Sequence, residues 1–249
     1  MRPTMLHSGL EVIRHNINRR QRDLKLYEFG KTYVQTSEGK YKERNTLALY
    51  ITGNTTAETW QRPAVKTTYY NLAGAVQQIL SALGGPQPVL KEWAHHFFAN
   101  GVTLLLGNKT MGDMGAVAQK VLKRLDVTQP VWYAELDWDA LSKKYKPTLV
   151  ARELSKFPEV RRDLSIVVDS SVSFDQLRQI AQRTEKKLLQ SINVFDVYAG
   201  ENLGAGKKSY SVSFSLQDFT QTLSEQAIDQ VMQKLIAQFE KQAGALIRK

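Results

Sequence analysis

Ser209-Tyr210-Ser211-Val212-Ser213-Phe214-Ser215-Leu216 is the stretch that decides the fold of the second half of this chain. Successive side chains on a strand point to opposite faces, so Tyr210, Val212, Phe214 and Leu216 form one row and the four serines the other. The apolar row needs a cover and the serine row does not. Ile192 to Tyr198 reads as the strand before it, with Gly200 to Gly206 as the connecting loop. Farther upstream, Arg162 to Val168 is a strand with Leu164, Ile166 and Val168 on one face. Ser173, with Gln176 three residues on, is a capping box that opens a helix carrying Phe174, Leu177, Ala181, Thr184 and Leu188 on one side. Downstream, Thr222 with Glu225 reads as a second capping box, followed by the helical stripe Ile228, Val231, Leu235 and Phe239. Ala245 to Arg248 reads as a short last strand. The order is β-α-β-β-α-β, the split βαβ arrangement of ferredoxin-like folds. Both helices then cover one face of the sheet and the serine row stays open. Such a face is either plain solvated surface or a flat platform for another molecule. Tyr198 is its best stacking candidate, provided that Phe195 and Val197 are core.

The first 150 residues read as a separate α+β module. Leu6, Leu10, Ile13 and Ile17 line one helical face. Leu24 to Val34 reads as a strand, and Leu47, Leu49 and Ile51 alternate within Thr46–Thr52. Leu72, Val76, Ile79 and Leu83 mark a helix over Asn71–Leu83, stopped by Gly84-Gly85-Pro86. Gly101–Gly107 and Val131–Leu136 read as strands, with a helix over Ala116–Leu125 between them. Strands that follow one another without regular helical crossovers imply an antiparallel sheet. The polar stretch Lys143-Lys144-Tyr145-Lys146-Pro147-Thr148 marks the seam, giving modules over 1–150 and 155–249.

The 249 residues carry a net charge of +10 and no cysteine, which excludes disulfides and thiol chemistry and suits a reducing compartment. No run approaches the roughly 20 apolar residues of a membrane span, and the start Met1-Arg2-Pro3-Thr4 has no signal-peptide character. The charge is uneven. Residues 1–150 hold 20 Lys and Arg against 12 Asp and Glu, whereas 151–249 hold 14 against 12. A basic excess favours polyanionic partners, but here it lies mostly outside the serine-faced module.

Four stretches of the second module resemble, in order, motifs of one family. They are Phe157-Pro158-Glu159-Val160-Arg161-Arg162-Asp163-Leu164, Val194-Phe195-Asp196-Val197-Tyr198-Ala199-Gly200, Gly206-Lys207-Lys208-Ser209 and Thr222-Leu223-Ser224-Glu225. They are similar to the anticodon-binding domain that ends the bacterial phenylalanyl-tRNA synthetase beta subunit. Upstream, Arg2-Pro3-Thr4-Met5-Leu6 with Gly9-Leu10, Leu26-Tyr27-Glu28-Phe29-Gly30 and Glu135-Leu136-Asp137 resemble that subunit's class II synthetase-like, non-catalytic module. His95-His96-Phe97-Phe98-Ala99-Asn100 and Gly112 to Gln119 depart from the family pattern. The resemblance implies a C-terminal part of a longer subunit, without its editing domain. It also implies tRNA(Phe) and an alpha subunit as partners in an α2β2 cytoplasmic enzyme, with ATP and magnesium used by that assembly and no cofactor held here. The RNA contacts it suggests are Arg161, Lys207 and Lys208 for phosphates, Ser211 and Ser213 for close approach, and Tyr198 for stacking. Arg162, beside Asp163, is equally placed for RNA or for an ion pair. A ferredoxin-like amino-acid-sensing domain on a scaffold is the alternative, since fold alone does not fix function.

Other chemistry finds no support. Gly204-Ala205-Gly206-Lys207-Lys208-Ser209 lacks the spacing of a phosphate-binding loop and leads into a strand rather than a helix. Gly107 to Gly112 fails likewise. His7, His15, His95 and His96 have no metal-ligand spacing. Glu135, Asp137 and Asp139 alternate at a strand end, where a solvated face is the better expectation than a cation site. Glu28 lacks the arginine two residues before it that class II adenylation uses; Leu26 stands there.

Overall fold

The computed structural model of the protein describes residues 1–37, 39–84, 88–92, 96–144, 155–200, 203, 204 and 206–248. Two compact units divide at Val150 and Ala151. The expected seam at 143–148 lies mostly outside the described residues, as do His95 and the Gly85-Pro86 stop.

In the first unit α1 (Leu6–Ile17) is followed by β1 (Leu24–Ser37), β2 (Lys40–Thr52) and the short pair β3 (Asn54–Thr56) and β4 (Val65–Lys66). Then come α2 (Tyr69–Ala82), β5 (Val89–Glu92), β6 (Phe98–Leu106), β7 (Lys109–Val117), α3 (Gln119–Arg124), β8 (Val131–Asp137) and α4 (Trp138–Lys144). Six strands form one antiparallel sheet in the order β1-β2-β8-β7-β6-β5. Leu6, Leu10, Ile13 and Ile17 of α1 pack with Val121 and Leu122 of α3 against Ala48, Tyr50 and Tyr133 on one face. Leu72, Val76 and Leu80 of α2 pack with Ala140 and Leu141 of α4 against Leu47, Leu49 and Ile51 on the other. Every residue from Thr46 to Thr52 is therefore buried.

The helix expected over Ala116–Leu125 is shorter, and a strand precedes it where none is expected. Ala116 and Val117 close β7, and the helix runs only from Gln119 to Arg124. The cause lies in Met111-Gly112-Asp113-Met114-Gly115, whose small residues hide a strand. A side chain at Gly115 would collide with the Asn100 carbonyl across the β6–β7 pair.

In the second unit β9 (Val160–Asp169), α5 (Phe174–Thr184), β10 (Leu189–Tyr198), β11 (Lys207–Leu216), α6 (Glu225–Ala243) and β12 (Leu246–Arg248) follow in order. The sheet order is β10-β11-β9-β12, all antiparallel. Val212, Phe214 and Leu216 are fully buried against Leu177, Ala181, Ile228, Leu235 and Phe239. Each such side chain contributes about 1.5–3 kcal/mol on leaving water. The Ser173–Gln176 capping box is present. The expected Thr222–Glu225 box is not: Ser224 caps α6, accepting from the Ala227 amide at 3.3 Å, and Glu225 is the first helical residue. Leu188 lies beyond the end of α5, although it still packs on the core.

Gly9 sits inside α1, where alanine ordinarily raises helix stability by about 1 kcal/mol. Here a Cβ would land on the ring of Tyr50, whose hydroxyl donates to the Met5 carbonyl at 2.6 Å. Gly9→Ala is expected to lower the stability of the chain by about 1–3 kcal/mol through overpacking, measured by urea denaturation.

Candidate nucleic-acid interface

The pairing register divides the side chains of the second sheet into two faces. Arg161 stands opposite Ser215, Asp163 opposite Ser213 and Ser165 opposite Ser211, all on the serine side. On the other edge Tyr198 stands opposite Ser209, Asp196 opposite Ser211 and Asn193 opposite Ser213. Among the described residues both helices of this unit pack on the other face. The serines are not uniformly open, however. Ser209 and Ser215 are buried, the first sharing a hydroxyl contact of 3.1 Å with Ser165 and the second donating to the Glu159 carboxylate. Ser211 and Ser213 are partly accessible.

The sequence-proposed residues divide. Arg161, Tyr198, Lys207, Ser211 and Ser213 share the serine face. Arg162 and Lys208 do not. Arg162 stands opposite Phe214, on the helix side, and donates to Glu225 at 2.6 Å. Lys208 stands opposite Val168 on the same side, with its ammonium 5.2 Å from the centre of the Tyr210 ring. Strict alternation along β9 and β11 forces this, because neighbouring cations must point to opposite faces.

The condition set for Tyr198, that Phe195 and Val197 be core, is not met; they are 53% and 52% exposed. The register of β10 shifts between Val194 and Asp196. Ile192 and Val194 face the helices, and the extra residue of this bulge, Phe195, turns toward the serine side. There the Arg161 guanidinium lies 5.5 Å from its ring centre. The open face thus carries two exposed aromatic rings, Phe195 and Tyr198, where one was expected. The sequence carries a mark of this: Val194-Phe195 places two apolar residues side by side after the alternating Ile192-Asn193-Val194.

The charges of this face are partly engaged. Arg161 donates to both oxygens of Asp163, at 2.9 and 3.2 Å, an exposed pair worth at most about 1 kcal/mol and open to exchange for another anion. Lys207 stands opposite Asp169 at the strand end. The Ser171 hydroxyl and amide hold the Asp169 carboxyl below its ordinary value, with Lys208 and Lys207 adding to the effect.

In the first unit the carboxylates singled out above are engaged within the fold. Glu28 is bonded to Arg2 at 2.7 Å, and Leu26 packs on the α1 core. Glu135 accepts from the Thr4 hydroxyl at 2.6 Å and the Met5 amide at 3.1 Å, Asp137 caps Ala140 and Asp139 is held by Asn45. These carboxylates brace the fold, and no group of three metal-ligating side chains occurs among the described residues. His7 lies edge-on to Phe97, His96 packs on the same ring and His15 contacts Arg19, and these described histidines belong to no metal-ligating group. The residues present do not fit ATP with magnesium. Among the described residues no helix is long and apolar enough to cross a membrane.

Fold and sequence together place residues 155–248 among the ferredoxin-fold anticodon binding domains. Residues 1–138 match the phenylalanyl tRNA synthetase beta chain CLM domain, and the chain belongs to the phenylalanyl-tRNA synthetase beta chain family. The chain is 40% identical to the phenylalanine–tRNA ligase beta subunit of Bacteroides thetaiotaomicron over 260 residues, covering 100% of this chain and 32% of that protein. It is 38% identical to the subunit of Porphyromonas gingivalis with the same coverage. The chain therefore spans about a third of the length of these relatives. Among solved structures, a pyrrolysyl-tRNA synthetase from Desulfitobacterium hafniense overlaps 62% of this chain and 55% of its own, at a TM-score of 0.46 and 17% identity.

Because the folded value of Asp169 lies below the unfolded one, its contribution to stability is present above the ordinary carboxylate range. That contribution is lost as pH falls through the lowered value. Ser171→Ala is expected to bring the Asp169 midpoint back up, read by carbon-detected NMR titration. Phe195→Ala, which removes an exposed ring, is expected to change stability by no more than about 1 kcal/mol, checked by thermal denaturation.

Proposed function

We propose that the second module holds the anticodon arm of tRNA(Phe) on its open sheet face. The first module acts as a non-catalytic scaffold beside an alpha subunit, in a cytoplasmic α2β2 enzyme that ligates phenylalanine to tRNA with ATP and magnesium. The observation that carries the RNA reading is the convergence of Phe195, Tyr198, Arg161 and Lys207 on one uncovered face of a ferredoxin-fold anticodon binding domain. Aromatic rings stack on unpaired bases. Arg161 and Lys207 meet phosphates, and the small side chains of Ser211 and Ser213 let a backbone approach closely. Arg162 and Lys208, which face the helices, serve the protein core and its rim. The scaffold reading draws support from Tyr27 and Phe29, 72% and 55% exposed on edge strand β1. They continue the apolar face of Leu47 and Leu49 and stay largely exposed although Phe29 packs edge-on against Trp138.

The amino-acid-sensor alternative finds less support. The cavity beside α5 and α6, of about 200 Å³, is lined by Val172, Gln176, Gln179, Ile180, Arg183, Gln242 and Ala243. It offers a cation for a carboxylate but no acid for an ammonium group.

Binding of a tRNA(Phe) anticodon stem-loop to the 249-residue chain tests the proposal. Phe195→Ala and Tyr198→Ala are each expected to weaken it by about 1–3 kcal/mol, the worth of one stacked base. Lys207→Gln is expected to reduce the salt slope by about one, and Lys208→Gln to leave it unchanged. Wild-type affinity in both aromatic variants would remove the sheet face from the interface.

A further inference from the structure

The sheet face leaves the charge of the first module unexplained, and that charge is concentrated. Between Arg14 and Asp23, and between Lys120 and Asp126, the chain holds seven Arg and Lys against the two acids Asp23 and Asp126. Both stretches close helices on the same face of the sheet, since Ile13 and Ile17 of α1 share a core with Val121, Leu122 and Val127 around α3. The turns after these helices meet, with Gln129 donating to the Arg22 carbonyl at 2.6 Å. Arg19, Arg20, Arg22, Lys123 and Arg124 are all exposed. Among the described residues none of them forms an ion pair. Asp23 is occupied by the Asn54 amide.

Helix dipoles favour cations in a last turn, which accounts for Lys123 and Arg124. They do not account for Arg20 and Arg22, which lie past the end of α1. The Gln21 amide bonds the Asn16 carbonyl and the Arg20 amide bonds the Ile17 carbonyl, the double closure that places one residue in the left-handed region. That residue is Arg20, at φ 67°, where glycine would sit without strain. Asp126 closes α3 through the same pair of bonds at φ 54°, so it is the surplus of exposed cations around both turns that points to a use for the charge.

We infer that the paired ends of α1 and α3 form a second polyanion-binding surface, one that grips the phosphate backbone of double-helical RNA without reading its sequence. Charge complementarity selects this occupant. The surface offers flexible exposed cations from two adjoining turns, which suits phosphates. The inference extends the RNA reading to the first module but does not depend on the sheet face.

The test uses the 249-residue chain and an RNA duplex of about 16 base pairs, unrelated in sequence to tRNA, titrated at several salt concentrations. Arg20→Gly combined with Arg22→Gln, Lys123→Gln and Arg124→Gln is expected to lower the slope of log K against log salt by roughly three to four. Arg20→Gly alone is expected to lower that slope by about one while leaving the melting temperature equal or higher. This separates lost charge from lost folding. Phe195→Ala with Tyr198→Ala is expected to weaken stem-loop binding and spare the duplex. An unchanged slope in the fourfold variant overturns the inference. So does loss of duplex binding in the aromatic variants, or binding to polyglutamate or anionic vesicles as tight as to the duplex.

Discussion

Phe214 and Leu216 are sealed between β11 and the two long helices of the second module, and this burial sets the geometry of everything on the opposite face. A slip of one residue in the β9–β11 register would put the tyrosine, valine, phenylalanine and leucine of β11 in water and the serines in the core. Several kcal/mol oppose that slip, at about 1.5–3 kcal/mol for each large side chain. The positions of Arg161, Lys207 and Tyr198 are thus fixed by residues that they never touch. The same lock turns Arg162 and Lys208 away, so that the Arg161-Arg162 and Lys207-Lys208 pairs each present one cation to either side of the sheet.

The two modules handle their sheets differently. In the first, helices cover both faces, and a central strand such as β2 is buried along seven consecutive residues. Polar groups there must be satisfied internally: Thr32 and Thr46 share a hydroxyl contact of 2.9 Å, and Thr52 donates to the Pro130 carbonyl at 2.7 Å. Burial of the Tyr50 and Tyr133 hydroxyls pushes their ionisation upward, so both remain neutral donors. Free charge is left to helix ends and rims. In the second module one face lacks a helical layer among the described residues, and exposed polar and aromatic groups collect on it around the buried Val167, Ser209 and Ser215. A three-layered scaffold and a one-sided platform are different answers to how much surface a module leaves for others.

Most of the second module was legible because its code is redundant. Strict alternation, a capping box and two helical stripes all lead to the same arrangement of elements. The first module was less so. Residues Met111 to Gly115 contain two glycines and no β-branched side chain, so the propensity that marks a strand is missing; the β6–β8 neighbours impose the strand instead. At the interface, alternation placed Tyr198 correctly and failed at Phe195, because a bulge resets parity in mid-strand. The Thr222–Glu225 pair had the spacing of a capping box, but Ser224 begins the helix two residues later. Which of two nearby hydroxyls caps a helix depends on the backbone entry angle, and spacing alone does not carry that.

The bulge at Phe195 has a further consequence, for the sheet's free margin rather than for its face. β10 is an edge strand with β11 on one side only, and an unprotected edge is a template onto which another copy's strand can dock. An inserted residue breaks the regular spacing of the outward amides and carbonyls and sharpens the local twist. An incoming strand would meet a ladder that is out of step. The distortion that brings an aromatic ring onto the open face therefore also makes this margin a poor template for another strand.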